Sequence, residues 1–75
     1  MKFWYYTLEV VDNHKTMRCN CICHNEFITS FPLVSVLEFN KKRYNVTISS
    51  LFITYIQEIN ETEYENLNEQ FNNGE

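Results

Sequence analysis

The stretch Lys2-Phe3-Trp4-Tyr5-Tyr6-Thr7-Leu8-Glu9-Val10-Val11 decides the fold. Aromatic and β-branched residues suit the pleated surface of a strand better than a helix, where they lose side-chain freedom against the preceding turn. One face of this strand, Trp4, Tyr6, Leu8 and Val10, is wholly apolar. The other, Phe3, Tyr5, Thr7, Glu9 and Val11, is apolar at both ends. A strand of this kind needs cover on both sides, so its natural place is the centre of a sheet.

Outward from it, Asp12-Asn13-His14-Lys15 supplies a polar loop of hairpin length. A second strand is expected from Thr16 to His24, with Met17, Cys19, Cys21 and Cys23 on one face and Arg18, Asn20, Ile22 and His24 on the other. That alternation marks a half-exposed edge strand. Thr29 or Ser30 can cap a first helix with Pro32 in its first turn, where a missing N–H costs nothing. The helix runs to about Lys42, with Leu33, Val34, Val36, Leu37 and Phe39 as its apolar side. Ser35, Glu38, Asn40, Lys41 and Lys42 are the candidates for solvent.

From Tyr44 to Ile59 strand-forming residues return with a change of apolar phase, from Val46 and Ile48 to Leu51, Ile53 and Tyr55, with Phe52 and Ile56 interleaved. A bulge or break near Ser49-Ser50 explains the shift; a third strand apolar on both faces is the alternative. Asn60-Glu61-Thr62-Glu63 then reads as a helix start, with Asn60 as N-cap, Glu63 in the capping-box position, and Ile59 and Tyr64 as the staple. Tyr64, Leu67 and Phe71 recur at helical spacing and form one packing stripe.

The order is β-β-α-β-α. If the first helix carries the chain back across one face, the third strand runs parallel to the second and the first lies between them. The expected fold is α+β: a three-stranded sheet in the order 2-1-3, one helix packed on it, and a short C-terminal helix. Residues 1–71 form the single domain and residues 72–75 a polar tail.

A chain of 75 residues holds one core, and folding at this size buries only about 60–65% of the unfolded chain's surface. With 44% apolar and 16% aromatic residues at a net charge of −4, the composition is that of a folded, soluble domain and not of a disordered one. The opening apolar run is cut by Thr7 and Glu9, too early for the core of a signal peptide. No stretch approaches the length of a membrane span. The three cysteines are crowded into one strand and cannot staple distant parts of the chain, which fits a reducing, cytoplasmic compartment. The sequons at Asn45 and Asn60 matter only in a secretory pathway.

Cys19, Cys21, Cys23 and His24 are the one soft-metal candidate. Same-face strand residues lie ~6.6 Å apart, however, and His24 points away from the thiols. Structural zinc sites use ligands in turns. The expectation is three packed thiols and no metal, cofactor or catalytic residue. A cysteine nucleophile would need a base beside it, and neither His14 nor His24 is placed to serve. Glu58, Glu61, Glu63, Glu65 and Glu69 flank a helix start, where negative charge is favourable. One glycine, at position 74, excludes a phosphate-cradling loop. Arg18, Lys41, Lys42, Arg43, Tyr5 and Tyr6 are too few basic and aromatic groups against ten acidic residues to bind nucleic acid.

Twelve aromatic residues exceed what one helix over three strands covers. Trp4, Tyr6, Phe52 and Tyr55 are therefore the candidates for an interface, with a second copy or another protein as partner and no small-molecule ligand or membrane indicated. The expected function is a non-enzymatic protein-interaction or homodimerising domain. The alternative is an acidic accessory or inhibitory factor of a phage or mobile element, acting on a host nucleic-acid enzyme.

The stretch Val46-Thr47-Ile48 through Gln57-Glu58-Ile59-Asn60-Glu61-Thr62-Glu63-Tyr64-Glu65, preceded by Phe31-Pro32-Leu33, resembles small uncharacterised proteins of gut Bacteroides and their mobile elements. Those have a strand hairpin, a helix beginning near a Phe-Pro-Leu-like turn, and a last strand running into a similar helix start. The resemblance covers about positions 3 to 67. It implies a bacterial, intracellular, dimer-forming domain without assigned activity. It carries over no functional residue, and the cysteine series is not part of the pattern.

Overall fold

The computed structural model of the protein describes residues 1–13, 15–26 and 30–73. The elements are β1 (Lys2–Asp12), β2 (Lys15–Asn25), α1 (Leu33–Tyr44), a 3-10 turn (Ile48–Ser50), β3 (Leu51–Ile59) and α2 (Glu61–Asn73). The three strands form one sheet in the order β2-β1-β3, with both outer strands antiparallel to β1. The α+β class, the β-β-α-β-α order and the 2-1-3 sheet expected from the sequence are all found.

β1 is central because both its faces are partly apolar. Its even residues form the floor of the core: Trp4, Tyr6, Leu8 and Val10 are buried, as are Cys21, Val36, Leu51 and Ile59. The hairpin is tighter than expected. Asp12 pairs with Lys15, so the ladder runs one residue further on each strand than Val11 and Thr16, and Asn13 beyond it takes φ 43°. Asparagine tolerates positive φ.

α1 differs from expectation at its start and in its phase. Pro32 precedes the helix instead of lying in its first turn, no side-chain cap is found at the N-terminus among the described residues, and Leu33 N–H donates to the Phe31 carbonyl at 2.8 Å. Thr29, the other cap candidate, lies outside the described residues. Val36, Leu37, Asn40 and Tyr44 face the sheet. Phe39, assigned to the apolar side, is 61% exposed, while Asn40, assigned to solvent, is fully buried. The buried stripe follows the 36-40-44 row. Asn45, at φ 54°, closes the helix in the left-handed region.

The phase change after Val46 has two causes. The 3-10 turn falls at the expected break, and a second irregularity lies within β3. Thr7 pairs with Tyr55 but Leu8 with Ile53, so Thr54 is an extra residue. This bulge turns Phe52, Tyr55 and Gln57 to one face, and Ile53 and Ile56 to the other.

α2 covers the face of the sheet opposite α1, at one end only. Tyr64 lies against Phe3 with ring centroids 4.8 Å apart and shares a 2.9 Å hydrogen bond with His24 Nδ1. The helix start matches the sequence: Asn60 Oδ1 accepts from Glu63 N–H, and Asn60 Nδ2 donates to Glu63 Oε1, both at 2.8 Å. The helix runs through Asn73, so residues 72 and 73, expected in a tail, belong to it. No helix is long and apolar enough to cross a membrane among the described residues.

Candidate functional site

The sequence selected four aromatic residues, and the fold divides them. Trp4 and Tyr6 are each 3% exposed. They lie on the α1 face, each in an edge-to-face contact with Phe31 at 6.1 and 5.5 Å. They are core residues, because α1 and the chain leading into it roof that face. Phe52 and Tyr55, on β3, are 50% and 49% exposed.

The surface of β3 extends further than those two. Ile56, on the opposite face from Tyr55, is 47% exposed, so the strand is open on both faces and has a sheet neighbour on one side only. Leu51-Phe52-Ile53-Thr54-Tyr55-Ile56-Gln57 contains no charge, proline or glycine. Its composition was legible as strand, but the exposure of Ile56 was not, because the bulge at Thr54 decides which face it takes.

Around this strand the α2 face is lined by cross-strand pairs. Arg18 Nη2 and Glu9 Oε1 are 2.6 Å apart, Thr7 Oγ1 donates to Asn20 Oδ1 at 3.3 Å, and Tyr5 packs edge-on to Tyr55 at 6.0 Å. Tyr55 O–H also donates to Gln57 Oε1 at 2.8 Å. These contacts engage the polar groups of Glu9, Arg18, Asn20 and Gln57 on that face.

Cys19, Cys21 and Cys23 form a ladder on the α1 face, opposite Leu8, Tyr6 and Trp4 respectively. Burial raises the Cys21 thiol and pushes Cys23 up to about 11. Tyr44 O–H donates to Cys19 Sγ at 3.3 Å. Nucleophilic cysteines need the opposite shift, toward the thiolate. No group of three His, Cys, Asp or Glu side chains is placed to hold a metal among the described residues.

A cleft of about 400 Å³ lies where the end of β2 meets α1. Cys23 and His24 both line it, together with Tyr6, Val36, Phe39 and Tyr64. Among the described residues no carboxylate lines it, and His24 Nδ1 shares a hydrogen bond with Tyr64. It is a largely apolar crevice beside an edge strand, in which burial holds the Cys23 thiol protonated, away from the thiolate that nucleophilic chemistry uses. His14 lies outside the described residues.

The remaining charges are dispersed. Tyr5 and Tyr6 face opposite sides of the sheet, Arg18 is held by Glu9, and Lys41, Lys42 and Arg43 end α1, with Arg43 over the Tyr44 ring at 5.4 Å. Glu58 pairs with Lys2 at 3.0 Å, and Glu61, Glu63, Glu65 and Glu69 are exposed along α2.

No protein-family model, curated protein or solved structure matches the chain.

Proposed function

We propose that the chain is a non-enzymatic, cytoplasmic interaction domain that associates with a second copy of itself through β3. The observation that carries this reading is the exposure of Phe52, Tyr55 and Ile56 on both faces of an uncharged outer strand. Water-exposed apolar side chains on an unguarded edge are costly and aggregation-prone unless a partner covers them. A second copy is the partner always present. It also enlarges the buried core of a chain too short to build a deep one. Three free thiols packed against the core are consistent with a reducing compartment. The inhibitor reading would rest on the glutamates of α2, and the first of these already serve the helix start.

The test is the mass in solution. Sedimentation equilibrium from low to high micromolar concentration should approach twice 9.1 kDa. A mass that stays at that of one chain throughout overturns the proposal.

A further inference from the structure

We propose that β3 of one copy adds to β3 of a second copy, antiparallel about a two-fold axis, joining the two three-stranded sheets into one sheet in the order 2-1-3-3-1-2. This deepens the proposed self-association and rests on it, by naming the edge and the direction of pairing.

The two edges of the sheet are chemically unlike. β2 carries Lys15 and also Arg18, whose side chain stays 70% exposed although it pairs with Glu9. Long cations on an edge strand oppose the approach of another strand. β3 carries none over Leu51–Gln57. Its one charge, Glu58, stands at the end of the strand and is neutralised by Lys2 of the same copy. Pairing β3 with β2 of another copy would leave an unused edge at each end and grow into an open fibre. Pairing β3 with β3 closes at two copies.

Charge also selects the direction. β3 begins beside the basic end of α1, since only Asn45, Val46 and Thr47 separate Tyr44 from the 3-10 turn that opens the strand. That end carries Lys41, Lys42 and Arg43. The other end of the strand leads into Glu61 and Glu63 at the start of α2. Antiparallel pairing sets the basic end of one copy beside the acidic end of the other. Parallel pairing would set each end against its like, which costs affinity. The bulge at Thr54 increases local twist and limits the paired run. With Tyr55 and Phe52 on one face and Ile56 on the other, side chains of the two copies meet above and below the seam.

The test combines solution mass with amide hydrogen exchange on the full chain. Ile56→Lys places a cation on the edge, and Met17→Lys does the same on β2. Ile56→Lys is expected to weaken dimerisation by roughly tenfold or more, with Met17→Lys unchanged, and the outward amides of β3 should exchange more slowly as wild-type concentration rises. A dimer that survives Ile56→Lys, with β3 exchange independent of concentration, overturns the pairing but leaves self-association standing. So does loss of the dimer in Met17→Lys alone, or growth of the wild type into ever larger species. A wild type that remains one chain overturns both. The exchange measurement on the wild type decides the matter even if Ile56→Lys fails to fold.

Discussion

Asn40 sits where a leucine would be expected, at the centre of the buried stripe of α1. Its Nδ2 donates to Tyr6 Oη at 3.2 Å and to the Val36 carbonyl at 2.9 Å, while its Oδ1 has no hydrogen-bond partner among the described residues. A buried polar pair contributes little net stability, but removing one partner exposes the cost of the other. Asn40→Ala, which also opens a cavity, should therefore cost about 2–3 kcal/mol. The double change Asn40→Leu with Tyr6→Phe removes both polar groups and should be near neutral or stabilising. Urea unfolding of the two variants checks this. At the same scale, Cys23 has its thiol pushed from 9.0 to about 11 by burial, with a smaller contribution from Cys21. Below pH 9 both native and unfolded chains keep this proton, and the full stability is present. Between pH 9 and 11 only the unfolded chain loses it, so stability falls as pH rises. Melting temperature should be insensitive to this thiol below pH 9 and decline above it, and Cys23→Ala should make the decline shallower. Burial acts on Cys21 in the same direction.

At the scale of elements, the start of α2 was the most legible feature, because capping depends on residues a few positions apart. Asn60→Ala should cost about 1 kcal/mol, measured by denaturant unfolding. Tyr64 joins the helix to the sheet through Phe3 and His24. Tyr64→Ala should release α2 from the sheet, seen as faster amide exchange across 61–73 while β1 stays protected. The faces of α1 were less legible: Val34 and Phe39 belong to an apolar helix by composition, yet both are exposed. Their place depends on how the helix rotates over Tyr6 and Leu8, contacts distant in sequence. β3 lies between these cases. Its existence followed from Ile, Phe and Tyr in quantity, and the break before it was visible at Ser49-Ser50, but the bulge at Thr54 is a matter of pairing with Thr7 and Leu8.

For the whole molecule, the arrangement of cover explains where apolar surface remains. α1 and the segment before it roof one face over β1 and β2, and α2 covers only the Phe3 end of the other. β3 is left half-open on both faces. Phe52→Ser with Tyr55→Ser should leave the monomer folded, since neither residue is in the core, and should shift the mass toward that of a single chain. Sedimentation beside circular dichroism separates loss of association from loss of fold. Of the four interface candidates chosen from sequence, the two on β3 remain on this surface, joined by Ile56, while Trp4 and Tyr6 went to the core.

The sequence by itself determined the strand and helix types, the central position of the first strand and the start of the second helix. Each follows from alternation, two-sided hydrophobicity or capping chemistry carried by neighbouring residues. Only the tertiary structure decided that Asn40 is buried and Phe39 is not, that α2 covers one end of one face, and that Ile56 joins Phe52 and Tyr55 on an open edge. Those outcomes depend on helix rotation, strand register and a single inserted residue, which pair positions far apart along the chain and leave no periodic signal in it.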